Sequence, residues 1–306
     1  MTSSKSLFTG VALAALVFAV ATPSFAGSFY LQEQSARAAG RAYSGEGADR
    51  GVGSLWWNPA AIARSGREVT FSVHGLALNS TINNAGSSIV YPGGTTVPVQ
   101  GQSTSNNPIE SGIVPNFAVA VPVGDRFAVG LSLSAPYNFT TKYQGNSFAR
   151  YDALTSELRS VNVGLTGAMQ VTDWLDIGVG VDAQYVKAKL TSSLPNLSPA
   201  LPDGTSSLEG DGWDYGWNAG AQAHFGRLDL GLSYRSKIEH ELDAEVNVTG
   251  LLGPIAAGNV STDGVASFNT PWFASASVRY AVNDKLTLNG QVNRIGWSEF
   301  DAIRVA

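Results

Sequence analysis

From Val161 the odd positions read Val161, Val163, Leu165, Gly167, Met169 and Val171, and the even positions between them read Asn162, Gly164, Thr166, Ala168 and Gln170. After Thr172-Asp173 the alternation resumes with Leu175, Ile177, Val179, Val181, Ala183 and Tyr185, against Asp176, Gly178, Gly180, Asp182 and Gln184. Side chains alternate faces along a strand, so these are two strands joined by a tight turn. A soluble sandwich alternates too, but its outer face is usually rich in Lys, Glu and Thr, whereas this polar face is small and amide-rich. The apolar band on the second strand is as long as a bilayer-crossing strand, about 9–11 residues. The hairpin reads as two staves of a transmembrane β-barrel, apolar toward lipid and polar toward the lumen.

The same rhythm predicts seven more strands. They fall at about Val69–Leu78, Asn116–Val123, Phe127–Ala135, Trp213–Phe225, Leu228 toward Val248, Pro271–Ala281 and Lys285–Asn293. Short turns alternate with long polar loops, among them Asn79 to Pro115 and roughly Leu190 to Gly212. Bacterial barrels have short periplasmic turns and long extracellular loops, so the first strand runs outward. Tyr185, Trp213, Trp217, Tyr234 and Trp272 then mark the outer interface, and Phe127, Phe225 and Tyr280 the inner one. Lys187 and Lys189 share the outward register beyond the apolar band and are expected to meet anionic lipid headgroups. Nine strands do not close a bacterial barrel, which needs an even number. The barrel, 67–306, is therefore expected to be incomplete at its C-terminus, with a gap between the first and ninth strands.

Composition agrees. Charged residues make up 14% of the chain, against about 25% in soluble domains. There is no cysteine, which excludes disulfides and thiolate metal sites, and no cofactor or metal is expected. A net charge of −5 argues against a nucleic-acid partner. Residues 1–26 read as a cleaved signal peptide: Lys5, an apolar core from Gly10 to Ala21, and small residues ending at Ala26. Residues 27–66 do not alternate. Their glycines and their charges of both signs, Arg37, Arg41, Glu46, Asp49 and Arg50, cannot face lipid, so they form either a periplasmic tail or a plug inside the barrel. Trp56-Trp57 favours the packed plug.

Several stretches together resemble the FadL/TodX (OmpP1) family of outer-membrane transporters. They are Arg41-Ala42-Tyr43-Ser44-Gly45-Glu46-Gly47-Ala48 with Asn58-Pro59-Ala60, Val114-Pro115-Asn116, Gly216-Trp217-Asn218-Ala219-Gly220, Tyr234-Arg235-Ser236 and Trp297-Ser298-Glu299-Phe300. The resemblance implies an all-β, fourteen-stranded up-and-down barrel plugged by an N-terminal hatch. It also implies a passive route for long-chain fatty acids or other hydrophobes, aromatic hydrocarbons included. Such a route ends in sideways exit at a kink in the third strand, next to the Asn-Pro-Ala motif. Outer-membrane lipid and lipopolysaccharide are the implied surroundings, and a monomer is expected.

Named residues carry these expectations. Pro136 offers no ladder N–H where the third strand ends, beside Tyr137. Asn138 stands where the family has glycine. Asn58 can bond exposed backbone at such a break, Pro59 fixes the local chain, and Phe29 matches the family's buried N-terminal aromatic. Leu194, Leu197, Leu201 and Leu208, on a proline-stiffened loop, are either an outer collecting groove or a loop packed on its neighbour. Arg235 and Arg279 face the lumen and could meet a carboxylate, or pair with acids such as Asp182 and Asp214. An enzyme is not expected: only His74, His224 and His240 could serve as base, and none adjoins a Gly-x-Ser-x-Gly motif. A general diffusion porin would leave a wet channel, without need of the leucine-rich loop.

Overall fold

The computed structural model describes residues 29–91, 94–300 and 302–306; the expected signal peptide lies outside them. A short helix, α1 (Ala36–Ala39), and 3₁₀ turns at Glu46–Ala48, Val52–Ser54 and Pro59–Ile62 precede the first strand. The strands are β1 (Glu68–Leu76), β2 (Thr81–Asn83), β3 (Ser88–Val90), β4 (Thr96–Pro98), β5 (Thr104–Asn106) and β6 (Gly112–Val123). Next come β7 (Phe127–Ser134), β8 (Asn138–Lys142), β9 (Thr155–Gln170), β10 (Leu175–Leu194), β11 (Gly204–Phe225) and β12 (Leu228–Arg235). The chain ends with β13 (Ile238–Thr249), β14 (Val260–Thr270), β15 (Phe273–Asn283), β16 (Leu286–Ile295) and β17 (Arg304–Val305).

Thirteen strands form one antiparallel sheet: nine follow the path β1-β6-β7-β9-β10-β11-β12-β15-β16, and β8, β13, β14 and β17 pair off it. β8 continues the third crossing, β13 the seventh, and β14 leads into the eighth, so nine crossings are made from more strands than nine. β1 and β16 do not pair with each other among the described residues. The hairpin at Val161–Tyr185 is in register, with Leu165 opposite Val181 and Asn162 opposite Gln184. Leu165 and Val179 are 53% and 63% exposed on the outer face, while Asn162, Asp182 and Gln184 are buried inside. Hydrocarbon outside and amides inside is the arrangement a bilayer demands. The outer interface carries contacting ring pairs: Tyr185 with Trp213 at 5.4 Å, Trp217 with Tyr234 at 5.4 Å, and Tyr234 with Trp272 at 6.1 Å.

The outer ends differ from expectation. The stretch from Leu190 to Gly212 is not one long loop: β10 runs to Leu194 and β11 starts at Gly204. Likewise β9 begins at Thr155, and β14 fills much of the loop expected before Pro271. The reason is a reversal of polarity along the wall. Above Gln184 the outward positions of β10 are Lys187 and Lys189, and the inward ones are Val186 and Ala188, both buried. Leu158 on β9, Leu242 and Ala244 on β13, and Ala266 and Phe268 on β14 are buried in the same way. Past the membrane, water is outside, so the strands continue as in a soluble barrel with an apolar inside. Lys187 and Lys189 lie 2.7 and 2.8 Å from Glu209 on the neighbouring strand, so the wall itself supplies their counter-charge.

Candidate functional site

The inner half of the lumen is polar and filled. Arg41 bonds Glu46 and Asp49, each at 2.7 Å, while Arg37 and Arg279 reach Asp49 at 2.9 and 2.7 Å. Arg50 pairs with Asp229 and Arg64 with Asp176, both on the wall. Burial pushes the Glu46 carboxyl up, opposed by Arg41 and by the Ser54 hydroxyl. Arg279 therefore meets an acid of the N-terminal segment, not Asp182 or Asp214. Arg235 ion-pairs with Asp182, donates to the Trp56 carbonyl at 3.0 Å and stacks 4.0 Å over the Trp56 ring. Both candidate cations are thus already engaged.

Asn58 is fully buried. Its Oδ1 accepts from the Ala60 N–H at 3.0 Å, capping the Pro59–Ile62 turn, and Pro59 occupies the first turn. Its Nδ2 faces the carbonyls of Gly47 (2.7 Å), Ala221 (3.1 Å) and Leu232 (3.3 Å). A Cβ at Gly220 would meet the Asn58 side chain, and one at Gly178 the Pro59–Ala60 backbone, so two wall glycines make this approach possible. The Asn-Pro-Ala motif clasps β10, β11 and β12. It does not bond the break in the third strand, contrary to expectation.

That break is sealed by residues nearer the N-terminus. Ala135, Pro136 and Tyr137 face only two residues of β9, Ser160 and Val161, so the crossing bulges between β7 and β8. Leu31 N–H donates to the Pro136 carbonyl at 2.8 Å, and Tyr30 bridges Tyr137 in antiparallel fashion. Asn116 donates to the Glu33 carbonyl at 2.7 Å. The Tyr30 hydroxyl accepts from Trp56 Nε1 at 3.0 Å, and burial pushes its pKa up to about 12, so it stays neutral. Beside the break β6 pairs with β7 only from Phe117 inward, while β8 bonds Pro108 and Glu110 instead. Between them lies a cleft of about 500 Å³ lined by Phe29, Leu31, Ile113, Val114, Asn138 and Phe139, among others.

Above the polar core the lumen becomes apolar. Tyr137, Leu158, Val186, Leu242, Ala266 and Phe268 form one buried cluster, with Phe29, Tyr30, Leu208, Trp297, Phe300 and Ile303 packed against it. Phe29 stands edge-on to Tyr137, Trp297 and Phe300 at 5.8, 5.0 and 5.1 Å, and it also borders the cleft. A hydrogen-bonded row divides the two halves: Asp182, Asn162, Gln184 and His240, with His240 held by Asp214 at 3.1 Å. Leu208 packs against the apolar cluster. Leu197 and Leu201 are exposed at the outer rim, 37% and 39%, and Leu194 ends β10. The loop carrying them is pinned by fully buried Asn196, which donates to Pro202 and Gly250 carbonyls and accepts from Leu252 N–H. Leu158, Val186, Leu242, Ala266 and Phe268 belong to no motif in the sequence; the polarity reversal at Val186, Leu242 and Phe268 is their signal.

A wall with hydrocarbon outside, a filled polar core and an apolar upper chamber defines an outer-membrane β-barrel. The chain belongs to the family described as outer membrane protein transport protein (OMPP1/FadL/TodX), whose model matches residues 17–306. It is 28% identical to a long-chain fatty acid transport protein of Escherichia coli O6:H1, across 99% of this chain and 73% of that relative. It is 26% identical to outer membrane protein P1 of Haemophilus influenzae, across 92% of this chain and 68% of the relative. Its fold is similar to that of a Pseudomonas aeruginosa FadL homologue, with a TM-score of 0.75 and 21% identity, over 90% of this chain and 71% of that one. It is also similar to the toluene transporter TodX of Pseudomonas putida, at 0.57 and 16%, over 86% and 70%.

Proposed function

We propose that this protein is a passive route for hydrophobic molecules, long-chain fatty acids foremost. Leu197 and Leu201 at the outer rim offer a first apolar foothold. The ligand then rests in the chamber walled by Leu158, Val186, Leu242 and Phe268. It leaves sideways between β6 and β8 when residues 29–34 give up the strand-three break, while the N-terminal segment acts as a plug that keeps the axial path shut to water.

The observation that carries this reading is that Phe29 and Tyr137 belong to the chamber and to the break at once. A ligand displacing Phe29 from the chamber would pull on the residues that seal the wall. The fatty-acid relatives named above favour fatty acids; the toluene transporter keeps aromatic hydrocarbons as the second reading. A general diffusion porin is disfavoured by the ion pairs that fill the inner half of the lumen. The chemistry asked of the protein is binding and release, with no bond made or broken. Native mass spectrometry of the full-length protein with its co-purified ligand tests the reading: a bound fatty acid supports it, and recovery without any apolar ligand, together with rapid sugar flux, contradicts it.

A further inference from the structure

Beside the apolar chamber a buried hydrogen-bond donor is unmatched among the described residues. The indole Nε1–H of Trp297 is buried and has no partner among the described residues, while its ring packs against the apolar cluster and lies 5.0 Å from Phe29. Three other polar groups beside the chamber are matched. His240 has Asp214 and Gln184, the Tyr30 hydroxyl has Trp56, and the Tyr137 hydroxyl reaches the Pro271 carbonyl at 3.5 Å.

A buried N–H without an acceptor is costly and rare enough in folded proteins to need a reason. Tryptophan is normally buried only where its N–H finds a partner. Phenylalanine would supply a ring at this position without the cost. The two arginines that could have met a ligand's polar end are held by Asp182 and Asp49.

Resting on the transport reading above, we propose that the Trp297 N–H is the polar contact for the transported molecule. It donates to a carbonyl oxygen of an otherwise apolar ligand, so the chamber selects acceptor-bearing amphiphiles such as fatty acids and their esters over bare hydrocarbons. The donor is neutral, so it suits a carbonyl without burying a lone charge. Its contact with Phe29 puts the ligand's polar end beside the residue that leads to the strand-three seal.

The test is titration calorimetry on the full-length protein in nanodiscs, wild type and Trp297→Phe, with oleic acid, methyl oleate and 1-octadecene. The expected result is about tenfold weaker binding of the acid and the ester in the variant, the size of one lost neutral hydrogen bond. Octadecene binding stays unchanged and shows that the chamber is intact. Equal loss for all three ligands, or no loss for the acid and ester, overturns the proposal and leaves the transport reading standing. A wild type that binds none of the three overturns both.

Discussion

Replacing Asn58 by alanine is expected to undock the N-terminal segment while leaving the barrel wall whole. The alanine loses the cap on the Pro59–Ile62 turn, worth about 1 kcal/mol. It also loses an amide that faces three carbonyls, from Gly47, Ala221 and Leu232. One NH₂ group has two protons, so two net bonds are counted, at about 0.5–1.5 kcal/mol each. The sum is about 2–4 kcal/mol, a shift of roughly thirty- to a thousandfold in the docked-to-undocked ratio. Swelling of liposomes carrying the full-length protein in a small sugar reads this directly. The wild type should swell slowly and the variant at least tenfold faster, with unchanged far-ultraviolet circular dichroism. A variant as tight as the wild type, with equal thermal stability, would refute the view that this clasp holds the lumen shut.

Other substitutions test other parts. Arg235→Gln leaves Asp182, 2% exposed, with only Asn162 and Asn218 as side-chain donors among the described residues. Breaking a buried pair this way costs about 3–5 kcal/mol, and a lower unfolding temperature in detergent should show it. Val186→Asn puts an amide into the chamber wall and should weaken oleate binding at least tenfold with little change in sugar flux. Leu197→Ser with Leu201→Ser should slow ligand capture in stopped-flow mixing while the equilibrium affinity of the chamber stays the same. A fall in affinity instead would place those leucines in the chamber's own economy.

The crossings were legible because membrane and lumen impose opposite polarities on neighbouring positions, as at Leu165 and Asn162. The short turns were legible for the same reason that Gly124 and Gly226 sit there: positive φ at each favours glycine. The outer strand extensions were not, because Val186 and Leu242 reverse the rhythm where lipid gives way to water, and a reversed rhythm reads as its end. Asn58 was found by its motif but misplaced. Its partners are main-chain carbonyls on β11 and β12, which leave no mark in side-chain pattern. Arg235 pairs with Asp182, one of the acids its luminal register offers. Arg279 pairs with Asp49, which the register could not show because it comes from a segment without strand register. Trp297 was visible only as a motif member, since being unpartnered is a property of its surroundings.

On the proposed route, residues 29–34 leave the strand-three break for a ligand to pass. The chain has no cysteine of its own, so Tyr30→Cys with Tyr137→Cys, at bridged positions, can lock that seal. Uptake of labelled oleate by cells carrying the full-length double variant should stop under oxidation and return on reduction. Equal uptake with the disulfide formed would contradict that route.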